Sequence, residues 1–305
     1  MTGPARFTVA AAKRLRLLVD TDAANEADDQ YAIVHALLTP RFEVRGLIGV
    51  HFGVRDGPDT AAASAAEIHR LLDLMRLPDS PPVAVGASRA VNAGPGGDAG
   101  HGAPAGVDLI VAEAMRDDPL PLFAVFLGPL TDLALALRAE PRIAERLTAV
   151  WIGGGPYPHG GGEFNLGNDV AAANEVFDSA VELWQIPSPV YGMVRVGLSE
   201  LAVRVAPHGA VGGYLFRQLV ELNDRLGANP GWPAGESWVL GDSPAVGVLL
   251  DEQWMDHERV PAPAIRPDLR YRPRPDNPRT IRCYRSVDAR FILEDLYAKL
   301  VLAYG

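Results

Sequence analysis

Lysine is nearly missing from this chain: Lys13 and Lys299 are the only two in 305 residues. Cysteine is rarer still. Cys283 stands alone, which excludes an internal disulfide and a cysteine-built zinc site. No apolar run approaches the roughly 18 residues of a membrane-spanning helix. The N-terminus lacks the basic start, apolar core and small-residue cleavage site of a secretory signal. A Gly-x-Ser-x-Gly elbow is absent, which speaks against a serine hydrolase. Basic residues are outnumbered 38 to 28, a formal charge of −10, and such a balance disfavours nucleic acid and anionic membrane as partners. Arginine is dense only in RPDLRYRPRPDNPRTIRCYR, near 266–285, which reads better as a Pro-broken loop or edge hairpin than as a nucleic-acid stripe. These absences lead us to expect a soluble, cytoplasmic protein.

What is present is apolar and periodic. Hydrophobic residues make up 48% of the chain, enough for a substantial core. Residues 1–13 read as a flexible extension and 14–305 as a single domain without internal repeat. The pattern predicts strands over 14–19, 44–50, 83–85, 122–127, 149–152 and 190–194. It predicts helices over 28–38, 60–77, 108–116, 131–139, 170–183, 210–227, 243–250 and 287–303, with a Gly-rich loop over 94–106. Continuous apolar strands alternating with helices are the signature of an α/β fold: an open, mostly parallel sheet with helices on both faces.

The stretch VDTDAANEADDQYAI then stands out. It places Asp20, Asp22, Glu26, Asp28 and Asp29 directly behind the apolar run Leu17-Leu18-Val19. In open α/β sheets, ligands bind where strands end. Asn25 capping the next helix, with Asp28 completing a capping box, explains one or two of these acids. It does not explain Asp20 and Asp22, which precede the cap. Carboxylates this close repel and raise one another's pKa, and a bound cation removes that cost. Oxygen ligands of this kind suit Ca²⁺ or Mg²⁺. Three further segments follow strand ends or open helices. FLGPLTDLALAL offers the Thr131 carbonyl. GEFNLGNDVAAANEVF presents Glu163 and Asn165 on one side of an extended segment, with Asp169 as a helix cap. ESWVLGDSPAVGVLL sets Asp242 before an apolar helix, as a cap or a ligand.

Together these segments resemble the inosine–uridine-type nucleoside hydrolase family, from about Leu15 to Leu250. Asp20-Thr21-Asp22 and Asp28-Asp29 match its opening motif with a spacer two residues longer than the commonest form, as in a divergent NEADDQ branch. Gly128-Pro129-Leu130-Thr131 and Glu163-Phe164-Asn165 match its later motifs. The resemblance implies a nucleoside-hydrolase-like, Rossmann-like fold and hydrolysis of a ribonucleoside to ribose and free base. It implies Ca²⁺ held by Asp22, Asp29, the Thr131 carbonyl and Asp242. It further implies Asp22 as general base, Asp28, Glu163 and Asn165 on the ribose, Asp20 orienting the loop, and a homo-oligomer, dimer or tetramer.

Two departures matter. Many members carry a histidine just before the last metal-binding Asp, where this chain has Gly241. Trp238, Ser237 and Glu236 are the nearby replacements in sequence. His51 stands where the family usually has Asn and joins the expected substrate-binding set with Trp238; Tyr157 and His159 could line the base side. Gly241 also motivates an alternative, a non-catalytic metal-dependent nucleoside or sugar binder. A haloacid-dehalogenase-type phosphatase would share the Asp20-Thr21-Asp22 start, but that mechanism needs a later Lys, and none lies between Lys13 and Lys299.

Overall fold

The computed structural model describes residues 7–53, 59–91, 103–227 and 229–305. After a 3-10 turn at Ala11–Lys13 the chain enters β1 (Leu15–Thr21). It continues through α1 (Asp29–Leu37), β2 (Phe42–Gly49), α2 (Thr60–Met75), β3 (Val83–Val85), α3 (Ala105–Met115), β4 (Leu122–Phe126) and α4 (Thr131–Ala139). Next come β5 (Leu147–Ile152), α5 (Phe164–Asn168), α6 (Val170–Asp178), β6 (Glu182–Ile186), α7 (Ser188–Tyr191), β7 (Arg195–Gly197), α8 (Leu198–Arg204) and α9 (Gly209–Leu226). The last part holds β8 (Ser237–Val239), α10 (Ser243–Leu250), β9 (His257–Pro261), β10 (Ala264–Ile265), β11 (Tyr271–Arg272), β12 (Thr280–Tyr284) and α11 (Ala289–Tyr304).

Eight strands form the central sheet in the order β3-β2-β1-β4-β5-β6-β12-β9. Neighbours run parallel except β12 with β9, which is antiparallel. Every residue of β1 is buried, as expected of a strand covered on both faces. Its side chains alternate between two cores. Leu15, Leu17 and Val19 join residues of α1, α2, α9, α10 and α11. Leu18 joins residues of α3, α4 and α6 on the other face. The strand order turns around between β1 and β4, so their carboxyl ends frame a crevice at the topological switch point.

The sequence reading needs four local corrections. The helix expected over 170–183 stops at Asp178, and Glu182–Ile186 is a central strand. Val176, Phe177, Val181 and Leu183 are all buried apolar residues, so the run satisfies either period. The strand expected over 190–194 is replaced by α7, which Pro189 helps to start in its first turn. Glu163 and Asn165 do not share an extended segment: Glu163 caps α5 and Asn165 lies in its first turn. Asn25 is not the cap of α1; Asp28 holds that position, without a side-chain capping bond. Of the Gly-rich loop expected over 94–106, residues 94–102 lie outside the described residues, and its end belongs to α3. The Arg-rich stretch supplies the β10–β11 hairpin and β12. Among the described residues, no helix is long and apolar enough to cross a membrane.

Candidate active site

A cavity of about 490 Å³ opens at the carboxyl ends of β1, β4 and β5, within the size range of small-molecule sites. Asp22, Asp28, Asp29 and Asp242 form its acidic floor, with Glu26 at its edge, tied to Trp238. The strand delivers Asp22, the turn closed by the Asn25 N–H on the Asp22 carbonyl follows, and α1 begins with Asp28 and Asp29. Asp242 arrives from far along the chain, at the start of α10. Its carboxylate makes no capping bond there, so it is free to face the others.

Asp28, Asp29 and Asp242 each bring one oxygen to within 4.8 Å of the other two, and all three are buried. Burial raises each carboxyl above the ordinary range. Asp29 rises only to about 6, because the Thr21 hydroxyl and a hydrogen bond with Asp242 oppose the shift. Asp28 and Asp242 are pushed well up, first by burial and then by neighbouring carboxylates. The Gly241 N–H partly offsets this at Asp28. Asp22 is raised by burial, then by Asp29, Asp28 and Glu26, and its buried Oδ2 has no hydrogen-bond partner among the described residues. An acceptor-only group left this way costs free energy. The donor set is all oxygen, acidic and crowded, which fits a hard divalent cation. Asp28, expected on the sugar, thus sits with Asp29 and Asp242.

Asp20 points elsewhere. Its carboxyl meets that of Asp132 and finds no N–H or O–H donor among the described residues. Burial raises it, and Asp132 adds to the shift. Asp132 itself rises to about 6 by burial, opposed by the Ala87 N–H at 2.7 Å. Two buried carboxyls in contact are satisfied by sharing one proton.

Glu163 lines the cavity with its carboxylate already engaged. Gly154 and Leu166 N–H groups donate to Oε2, each at 2.8 Å, and the Asn165 N–H and the Tyr191 hydroxyl donate to Oε1. Burial raises its pKa, and these donors pull it back. Asn165 donates to Leu127 O at 2.7 Å and Ile152 O at 2.9 Å, clamping the ends of β4 and β5. Its Oδ1 takes no donor among the described residues and remains as an acceptor.

His51 is not a cavity-lining residue. It is fully buried, Nδ1 accepts from the Gly53 N–H, and Nε2 lies 2.8 Å from Thr131 Oγ1. Thr131 Oγ1 in turn donates to Asp169, which caps α6 through the Ala172 N–H. That arrangement sets the tautomer with the proton on Nε2, and burial lowers the ring pKa to about 4. The histidine supports Thr131, at the first turn of α4, from behind. Tyr157 belongs to a separate groove with Pro187 and Tyr284, away from the acidic floor.

The opposite wall is aromatic. Trp238, buried in β8, donates its indole N–H to Glu26 Oε1 at 3.1 Å. Trp232 stacks on it, ring centres 5.5 Å apart and 20° from parallel. Phe164, Tyr191, Arg195 and Ser237 also line the cavity, whereas Glu236 does not. Glu26 is raised to about 7, by burial first and then by Asp29. Trp232, Tyr191 and Arg195 went unnoticed in the sequence, since a loop, a one-turn helix and a three-residue strand carry no periodicity.

Comparison with known proteins points to one family. The family model for "Inosine-uridine preferring nucleoside hydrolase" matches residues 17–290. An inosine-uridine preferring nucleoside hydrolase of Leishmania major is 31% identical over 190 residues, 57% of this chain and 58% of that protein. A pyrimidine-specific ribonucleoside hydrolase of Salmonella enteritidis is 29% identical over 189 residues, 55% of this chain and 58% of its own length. The chain therefore aligns with little more than half of these curated relatives. In three dimensions, a purine-preferring ribonucleoside hydrolase from Gardnerella vaginalis superimposes with a TM-score of 0.77 at 20% identity. That match covers 93% of this chain and 98% of the other, and it supports the fold.

Proposed function

The chain belongs to the inosine-uridine preferring nucleoside hydrolase family, and from that premise we propose that it hydrolyses the N-glycosidic bond of a ribonucleoside, releasing ribose and free base. The observation that carries the reading is the unpartnered Asp22 Oδ2 beside the Asp28, Asp29 and Asp242 carboxylates at the switch point. Asp22, Asp29, Asp242 and the Thr131 carbonyl would hold a divalent cation, with Asp28 beside them. Ca²⁺ is the ion we propose, since it tolerates many carboxylate oxygens. When bound, it would supply positive charge that offsets the carboxylates' repulsion and makes a water more acidic.

Asp22 Oδ2 takes a proton from the attacking water. The water oxygen bonds to C1′ as the C1′–N bond breaks and its electron pair leaves with the base. Positive charge developing on the sugar is stabilised by the surrounding carboxylates. Asn165 Oδ1 accepts from a ribose hydroxyl. Glu163, its lone pairs taken by four donors, lines the ribose side and holds Gly154 and the Tyr191 hydroxyl in place. The nucleoside is the small-molecule partner; a homo-oligomer belongs to the same proposal.

The test is release of free base and reducing sugar from a panel of purine and pyrimidine ribonucleosides, with Ca²⁺ and after chelation. Ca²⁺-dependent release supports the reading. Binding of ribose or nucleoside without release would replace it by a non-catalytic binder, for which the glycine at 241 is the motive.

A further inference from the structure

On the nucleoside-hydrolase reading, the sugar faces the floor of Asp22, Asp28, Asp29 and Asp242 together with Asn165. The leaving base then faces what remains of the cavity wall. On the β8 side that wall includes Glu26, Trp232, Ser237 and Trp238, with Arg195 on the paired β7. Position 241 cannot contribute a side chain there. A β-carbon on it would stand 3.2 Å from Asp28 Oδ2 and 3.2 Å from the Tyr191 ring. Some other group must meet the polar edge of the base.

Glu26 has the placement for that work. Trp238, itself buried, holds one of its oxygens at 3.1 Å. The other takes no donor among the described residues. The indole tether fixes which way the carboxylate faces, and Trp232, 38% exposed, lies flat against Trp238 beside it. An ionised carboxylate only accepts hydrogen bonds. It therefore attracts an amino group and repels a carbonyl oxygen.

We infer that Glu26, held by Trp238, reads the exocyclic amino group of the leaving base, so that the preferred substrates are amino-bearing ribonucleosides. Glu26 is here a specificity residue and takes no part in the proton transfer at Asp22. In Glu26→Gln the amide oxygen stays on the indole N–H, and the NH₂ turns toward the base. Acceptor becomes donor, and the preference should reverse.

The experiment measures kcat/KM for cytidine against uridine and adenosine against inosine. Each pair exchanges an amino for an oxo group. p-Nitrophenyl β-D-ribofuranoside, with no base, is the reference. We expect the wild type to favour the amino member by about tenfold or more in at least one pair, the range a single buried hydrogen bond can supply. Glu26→Gln should cut that ratio by about tenfold or more and leave the nitrophenyl riboside within about threefold of wild type. Trp238→Phe, which removes the tether, should shift the ratio the same way by less. An unchanged ratio overturns the inference. An equal loss on all substrates, nitrophenyl riboside included, also overturns it, because Glu26 would then serve the cation or the sugar. If the wild type cleaves nothing, the hydrolase reading fails separately. Calorimetric Kd values for the same pairs then decide whether Glu26 selects the amino group.

Discussion

Gly241 lies tight against the Tyr191 ring: a β-carbon at 241 would sit 3.2 Å from Tyr191 Cδ2, so the ring would have to give by a few tenths of an ångström. The tyrosine ring is fixed in turn by its hydroxyl, 3.1 Å from Glu163 Oε1. The glycine is therefore matched to its neighbour, and a larger side chain at 241 requires the Tyr191 ring to shift. Gly241→Ala should destabilise the protein by about 1–3 kcal/mol, the usual cost of overpacking a buried site, and Gly241→His by more. Tyr191→Ala in the same chain should recover part of that loss. Thermal unfolding of the singles and the double checks it; additive losses would show that the two positions do not compete for space.

Asp22 supplies the second prediction. Asp22→Asn preserves shape while removing the basic oxygen. It also relieves repulsion from Asp28, Asp29 and Glu26. The variant should fold at least as stably as wild type and lose about 10²–10⁴ in kcat, the typical contribution of a positioned general base. Steady-state kinetics with cation in excess measures it. Near-wild-type kcat would remove Asp22 from the proton transfer.

How much of this could be read from the chain depends on whether the signal is local. The acidic run behind Val19 marks its own strand end, because charge that dense beside an apolar run has few structural uses. The parallel core strands were legible from their continuous apolar content. Glu182–Ile186 was not, since Val181 and Leu183 extend the helical pattern of α6 into the strand. His51 could not be placed either. Its role depends on Thr131, 80 residues away in sequence, and no spacing reports that contact. The Glu26–Trp238 bond spans 212 positions and is equally invisible.

His51 yields a third prediction. Its ring fills a fully buried site and engages both Gly53 and Thr131. His51→Ala leaves the Gly53 N–H without that acceptor, removes a partner of Thr131 and opens a cavity. A loss of about 2–4 kcal/mol follows from an orphaned buried donor plus lost packing. His51→Asn, shorter but able to donate and accept, should lose less. Denaturant unfolding distinguishes the two. Because burial lowers the ring pKa to about 4, the ring is already neutral above pH 6, and mutating it should leave the pH dependence of activity in that range unchanged.

The acidic floor makes the last prediction one of sign. Asp29 titrates near 6 and Glu26 near 7 without a cation, while Asp22, Asp28 and Asp242 are raised as well. In the unfolded chain these groups lose their protons near pH 4. Between about pH 4 and pH 7 the folded state thus binds more protons than the unfolded one, and stability falls as pH rises through that window. Chelated protein should have a lower Tm at pH 8 than at pH 5. Adding Ca²⁺ should raise Tm at pH 8 and do little at pH 5, where protons already neutralise the cluster. Asp242→Ala should shrink both effects, because it removes one of the buried charges and one proposed cation ligand together. Scanning calorimetry at the two pH values, with and without Ca²⁺, reads all of this. A chelated protein that is more stable at pH 8 than at pH 5 would mean that the floor is not held together against its own charge.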